Sequence, residues 1–161
     1  MNIKILLSGD GGQGIQLIAN MICRAAFNNA LHVTSIPNYG LEQRGGVSLN
    51  FIQISDKKIM YPKFTKPDIL LIMSPQARER VEGFKIEYLR LKIDLENHFD
   101  FLKKNNVPVQ SYNIFCLRLI IKILEEKNIL KSQDVFGLLE KKLSEKHGWE
   151  ENKKAFDLGY R

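Results

Sequence analysis

The chain has 161 residues, 44% of them hydrophobic and 26% charged, and a net charge of +6. That is one domain's length with an ordinary globular composition, which excludes disorder, collagen and coiled coil. The apolar stretch 114–124 is broken by Arg118 and Lys122, whereas a membrane helix needs about 20 mostly apolar residues, so neither a spanning helix nor a secretory signal is expected.

Residues 3–7 are a continuous apolar run that reads as a buried strand. Residues 9–14 are a glycine-rich loop, and 15–26 place Leu17, Ile18, Met21, Ile22, Ala25 and Ala26 at helical spacing. Asn28-Asn29 stops that helix, and 31–36 is a second strand closed by Pro37, so the opening is a βαβ unit. Residues 37–46 show no periodicity and read as a loop. The β-branched and aromatic content of 47–54 predicts a strand, with 58–60 returning as the second arm of an antiparallel hairpin. Pro67-Asp68 precedes a parallel-type strand at 69–73. A short helix at 75–82, an alternating strand within 87–93 and a helix at 95–104 follow. Residues 107–109 are a short strand at best, because Pro108 cannot donate to a ladder. The last third is helical: 112–127, then a helix capped by Ser132, then 150–158 between Gly148 and Gly159. The expected fold is one domain over 1–161, a Rossmann-like three-layer α/β/α sandwich with a mostly parallel sheet, an antiparallel hairpin and a helical C-terminal third.

Cys23 and Cys116 are the only cysteines, 93 positions apart. They exclude a disulfide framework, a CxxC metal site and a self-contained iron–sulfur cluster, and they fit a reducing, cytoplasmic compartment as buried inert thiols. His32, His98 and His147 have no spacing for metal or nucleophile work. Residues 1–80 carry 9 Lys+Arg against 5 Asp+Glu, while 81–161 carry 15 against 13. The lysine-dense second half is nearly balanced and reads as wet helix faces, with no nucleic acid and no membrane as partner. The excess in the first half suits a polyanionic ligand or an acidic partner.

Gly9-Asp10-Gly11-Gly12-Gln13-Gly14 matches GxGxxG after a strand and before a helix. Glycines allow a close backbone approach, and the helix N-terminus offers free N–H groups to an anion. A tight turn that binds nothing is the plain alternative. A dinucleotide site wants an acid at the end of the second strand, and Thr34-Ser35-Ile36-Pro37 has none, which disfavours an NAD dehydrogenase. Gly9-Asp10-Gly11 with Asn28-Asn29 imitates a thiamine diphosphate signature, but 16 residues between Gly11 and Asn28 are too few for the intervening elements.

Residues 9–14, followed by Tyr39-Gly40-x-Glu42-x-Arg44-Gly45-Gly46, resemble the gamma subunit of 2-oxoacid:acceptor oxidoreductases, the pyruvate, 2-oxoglutarate, 2-oxoisovalerate and indolepyruvate enzymes. The resemblance continues through Ser55-Asp56-x-x-Ile59-x-x-Pro62, Pro67-Asp68, Asn113 and Asn152-x-x-Ala155-Phe156-x-x-Gly159. It departs at Leu41, where the family usually has proline, and at Arg118, where a helix glycine is usual. Gln43-Arg44-Gly45-Gly46 is closer to the indolepyruvate branch, and Tyr39-Gly40 and Glu42 to the 2-oxoglutarate and pyruvate branches, so the substrate stays open.

The resemblance implies a subunit of a complex that oxidatively decarboxylates a 2-oxoacid to acyl-CoA and carbon dioxide, passing electrons to ferredoxin or flavodoxin. Its partners would be alpha, beta and delta subunits. Thiamine diphosphate, magnesium and iron–sulfur clusters would lie in those partners, and coenzyme A would contact this one. The implied ligand residues are Gly9, Gly11, Gly12, Gln13, Gly14, Tyr39, Gly40, Glu42, Arg44, Gly45 and Gly46, with none catalytic. Each has a plainer alternative. Gly40, Gly45 and Gly46 could support loop dihedrals, Arg44 could pair with Glu42 or Asp10, Gln13 could cap the helix, and Tyr39 could be a subunit contact. A free-standing nucleotide-binding regulatory module is the alternative function.

Overall fold

The computed structural model describes residues 1–39, 46–84 and 91–160. They form two compact units, Met1–Glu96 and Asn97–Arg161.

The first unit is built on a five-stranded sheet: β1 (Asn2–Asp10), β2 (His32–Tyr39), β3 (Val47–Ser55), β4 (Ile69–Ile72) and β5 (Leu91–Asp94), in the order β2-β3-β1-β4-β5. β1 pairs parallel with β4, and β4 with β5, while β3 runs antiparallel between β1 and β2. Four strands therefore point one way and β3 alone runs against them. β1 sits at the centre because it is apolar on both faces: Ile5, Leu6 and Leu7 are all fully buried.

Side chains alternate across a strand, so Asn50 and Phe51 face opposite sides of the sheet. Asn50 bonds the helix α1 (Ile15–Asn28), donating Nδ2–H to Gln16 Oε1 at 2.9 Å. Phe51 belongs to the core shared by Leu6, Phe64, Leu70 and the residues Ala77 and Val81 of α2 (Pro75–Val81). The two helices thus cover opposite faces, and the unit is the expected α/β/α sandwich. α1 shows why its spacing mattered: Ile15, Ile18, Met21, Ile22, Ala25 and Ala26 are all buried.

The sheet corrects three expectations and bears out the described part of a fourth. No strand forms at 58–60, so the antiparallel member is β3 alone, joined to its neighbours without a hairpin partner there. Pro37 lies inside β2, which runs on to Tyr39; β2 is an edge strand, where a missing donor is tolerated. Gly9 and Asp10 belong to β1 rather than to the loop. Of the strand expected within 87–93, residues 91–94 are β5, and 85–90 lie outside the described residues.

The second unit contains α3 (Phe99–Lys104), α4 (Tyr112–Glu126), α5 (Ser132–Leu143) and α6 (Trp149–Leu158). Val109–Ser111 is a turn of 3-10 helix leading into α4, not a strand; Pro108 supplies its extended entry at φ −71° and ψ 149°. Ser132 is the first residue of α5, not its cap, because its N–H and hydroxyl both donate to Glu125, at 3.0 and 2.8 Å. Ser111 donates its hydroxyl to Asn152 Oδ1 at 2.8 Å, which gives the motif asparagine a structural task. Trp149 packs on Phe136, 5.8 Å between ring centroids.

Gly148 opens α6 with φ +87°, a left-handed conformation that favours glycine. Gly159 ends it at φ −69°, so its need is space instead. A Cβ there would stand 2.7 Å from Arg118 Cβ and 2.9 Å from the Phe115 carbonyl. Neither the stem of a buried side chain nor a helix backbone yields cheaply. Gly159→Ala is expected to cost about 1–3 kcal/mol, the usual range for overpacking, as a fall in urea midpoint at unchanged slope. Arg118→Gly in the same chain should recover only part of it, since the Phe115 carbonyl remains.

Among the described residues, no helix is long and apolar enough to cross a membrane.

Candidate functional site

Parallel neighbours bring their carboxyl ends to one edge of the sheet, and the chain after β1 meets the chain after β4 there. Asp10 closes β1. Its backbone N–H donates to Gln13 Oε1 at 2.7 Å, and Gln13 Nε2–H donates to the Met73 carbonyl at 3.1 Å. Gln13 therefore ties the glycine loop to the end of β4. It makes no cap bond to α1, whose N-cap is Gly14. Asp10 Oδ1 accepts from the Ser74 hydroxyl at 2.6 Å, and Ser74 Oγ in turn accepts from Ala77 N–H at 3.0 Å as the cap of α2. The one negative charge within residues 9–14 is thus turned toward α2. Ser74 before Pro75 carries a helix-start signal that the sequence reading left unused.

The three described roles of glycine in the loop differ. A Cβ on Gly9 would stand 2.8 Å from Gln13 Oε1 and 2.9 Å from Ile15 Cδ1, so Gly9 makes room for the Gln13 clamp. Gly12 has φ +90°, and among the described residues nothing beyond its chain neighbours lies within 4 Å of where its Cβ would be. Gly14 has φ +83° and starts α1. The first turn of α1 has neither a side-chain cap nor an acidic residue. Among the described residues no side chain caps its leading N–H groups, and the positive end of its dipole stands at this edge. The turn itself is anchored from below, since Gln16 bonds Asn50 and Asn50 accepts the Ser35 hydroxyl at 2.9 Å.

β2 ends at the same edge. Tyr39 is the last residue of β2, 65% exposed, and lies opposite Ser48 in register. Gly46 accepts a hydrogen bond at its carbonyl from Gly11 N–H at 3.0 Å. Gly9, Gly11, Gly12, Gln13, Gly14, Tyr39 and Gly46 are thereby placed at one end of the sheet. Gly40, Glu42, Arg44 and Gly45 lie outside the described residues.

The Gln13 clamp makes a stability prediction. Gln13→Leu removes both bonds and strands the Asp10 N–H and the Met73 carbonyl. A loss of about 1–3 kcal/mol is expected in thermal or urea unfolding.

The remaining chemistry-bearing groups do not join this site. Burial pushes the Cys23 thiol up to about 11, against a hydrogen bond with Ser35, and pushes Cys116 up as well. Both are thus poor nucleophiles, although Cys23 is only half-buried. Among the described residues no cluster of three His, Cys, Asp or Glu side chains could hold a metal ion. Asp68 serves β1, accepting from Lys4 N–H at 2.9 Å.

The glycine loop after the first strand, the start of α1 and the end of β2 thus share the carboxyl edge of an α/β sheet, the edge at which open α/β sheets hold their ligands. The chain belongs to the pyruvate ferredoxin/flavodoxin oxidoreductase family, whose model matches residues 4–105. It is 45% identical over 82 residues to the 2-oxoglutarate synthase subunit KorC of Methanocaldococcus jannaschii, covering 50% of this chain and 43% of that one. It is 33% identical over 81 residues to the pyruvate/ketoisovalerate oxidoreductases common subunit gamma of Thermococcus kodakarensis, covering 50% of this chain and 44% of that one. The matched region is thus less than half the length of these relatives. The fold is that of the gamma subunit of a keto/oxoacid ferredoxin oxidoreductase from Geobacter sulfurreducens, with TM-score 0.71 at 22% identity over 98% of this chain and 96% of that one. It is similar also to the 2-oxoglutarate:ferredoxin oxidoreductase of Magnetococcus marinus, solved with 2-oxoglutarate, coenzyme A and succinyl-CoA. There the TM-score is 0.77 at 19% identity, over 98% of this chain and 30% of that one.

Proposed function

We propose that this chain is the gamma subunit of a cytoplasmic 2-oxoacid:ferredoxin oxidoreductase, and that it holds part of coenzyme A at the carboxyl edge of its sheet. The names of the relatives support the subunit reading. The observation that carries the ligand reading is the Gly11 N–H to Gly46 carbonyl bond of 3.0 Å, which joins the two loops beside the uncapped start of α1. Coenzyme A carries a diphosphate and a 3′-phosphate. Among the described residues the space over Gly12 is open and no side chain caps the start of α1, an arrangement that fits a phosphate. Arg44, the basic residue that the sequence places in the second loop, would add a bidentate cation, and Tyr39 an aromatic face.

In this reading thiamine diphosphate, magnesium and iron–sulfur clusters belong to alpha, beta or delta partners, which supply the electron sink and the carbanion chemistry. This chain binds, orients and completes the assembly. The purified chain alone is therefore expected to give no turnover with thiamine diphosphate, magnesium, coenzyme A, a panel of 2-oxoacids and viologen dye. The complex isolated with its alpha, beta or delta partners is expected to reduce the dye with at least one of those 2-oxoacids. Robust turnover by the lone chain, or none by the complex, contradicts the reading.

A further inference from the structure

Between β3 and β4 the chain runs through residues 56–68 without regular structure. Residues 57–67 contain Lys57, Lys58, Lys63 and Lys66 and no acid. In their midst Met60 is 71% exposed and Tyr61 84%, the most exposed large apolar side chain among the described residues. Lys57, Lys58 and Lys63 are exposed as well. Lys57 lies in the field of Asp56, and Lys58 and Lys63 make no ion pair among the described residues.

An exposed tyrosine on a loose loop would carry no argument. This loop is fixed at Tyr61 and directly after it. Gln53, 2% exposed, donates its side-chain N–H to the Tyr61 carbonyl. Pro62 restricts Tyr61 to extended backbone. Phe64 is buried and packs edge-on against Phe51, 5.3 Å between centroids. A buried amide and a core phenylalanine therefore hold the segment while its two largest neighbours face water.

We propose that residues 57–63 are a docking surface for an acidic partner chain, with Met60 and Tyr61 entering an apolar recess whose rim carboxylates meet Lys57, Lys58 and Lys63. An apolar centre with a charged rim is the anatomy of a protein interface, and tyrosine on a fixed backbone is a favoured anchor because little entropy is lost on binding. A nucleic acid would want several stacking rings along a basic stripe, and this segment offers one exposed ring. A bilayer would want a continuous apolar face, and it offers two side chains. The proposal rests on the subunit reading above for the identity of the partner, a neighbouring subunit of the same complex.

The test uses the complex coexpressed from the chain and its neighbouring subunits. With a photoreactive benzoylphenylalanine at position 61, the chain should crosslink to a partner subunit at a segment rich in Asp and Glu; the same group at position 27, also exposed, should not. Tyr61→Ala should weaken assembly by about 10-fold or more at every salt concentration, as for an interface anchor. Lys57→Glu with Lys58→Glu and Lys63→Glu should weaken it by a similar factor at low salt, with the gap closing as salt rises. Unchanged thermal melting of both variants separates docking from misfolding. If the wild-type chain assembles and the variants assemble equally well, or if position 61 crosslinks only to RNA or the chain is retained through Tyr61 on phosphatidylserine vesicles, the docking proposal is overturned while the subunit reading stands. If the wild-type chain does not assemble at all, both fall.

Discussion

Glu125→Ala is expected to destabilise the helical unit far more than Arg118→Met, although the two residues are partners. Arg118 is 3% exposed, in the interior of α4. Its guanidinium lies 5.5 Å from the Phe156 ring centroid and 4.8 Å from that of Tyr160, and its Nη2 is 3.3 Å from Glu125 Oε2. Its Nη1 is buried with no hydrogen-bond partner among the described residues. Removing Glu125 leaves a buried cation with ring faces as its only compensation among the described residues, and also takes the acceptor from the N–H and hydroxyl of Ser132. Removing one partner of a buried pair costs about 3–5 kcal/mol, and the low end applies because the Glu125 side chain is 36% open to water. Removing Arg118 instead leaves a half-exposed carboxylate still bonded to Ser132, and methionine can fill the space between the rings. That change should lie within about 1.5 kcal/mol of neutral. Urea unfolding of the two variants checks the asymmetry; equal losses would mean that packing around Arg118, not its charge, sets the energy.

The same pair fixes an acid dependence. The backbone N–H of Ser132 holds the Glu125 carboxyl below its usual range, helped by the Ser132 hydroxyl and Arg118 and opposed by desolvation. A carboxyl depressed in the folded state adds stability above its unfolded value and loses it as pH falls through the folded one. The melting temperature should therefore drop below about pH 4, and Glu125→Gln should flatten that part of the curve.

The elements that could be read from sequence are those whose pattern is local. The run at 3–7, the helical spacing at 15–26 and the amphipathic 112–127 each appear as β1, α1 and α4 with boundaries moved by a few residues. What was not legible depends on partners distant along the chain. Nothing in 47–54 says that this strand inserts between β1 and β2, because a strand buried on both faces suits any interior place in a sheet. Pro37 stops a strand only where its missing donor would matter, and the edge position of β2 removes that condition. Ser132 has the composition of a cap, but Glu125 seven residues earlier claims both its donors. The glycine loop was legible as a feature, and the sequence alone could not divide it into Gly9 for space, Gly12 for conformation and Gln13 as a clamp to β4.

Gly12→Val is expected to abolish coenzyme A binding in the assembled complex while leaving the fold in place. The position combines two properties. Its φ of +90° is strained for any residue with a Cβ, and no described residue beyond its chain neighbours comes within 4 Å of where that Cβ would lie. Strain alone costs about 1–2 kcal/mol, more for a β-branched side chain, which the sheet beneath can bear. Gly12→Ala should show that strain as a lower melting temperature with coenzyme A affinity reduced only slightly, since one methyl leaves most of the opening clear. Valine brings two further methyl groups into the space proposed for a phosphate. Arg44→Ala supplies the independent arm: if its guanidinium makes a charged hydrogen bond to that phosphate, affinity should fall by about 1.5–3 kcal/mol, or about 10- to 150-fold, with no change in stability. Calorimetric titration of coenzyme A into wild-type and variant complexes reads all three. A graded loss from alanine to valine, together with the Arg44 effect, places the phosphate over Gly12. Unchanged affinity in Gly12→Val and Arg44→Ala would make the two loops assembly surfaces, and the coenzyme would have to be held by other residues of the complex.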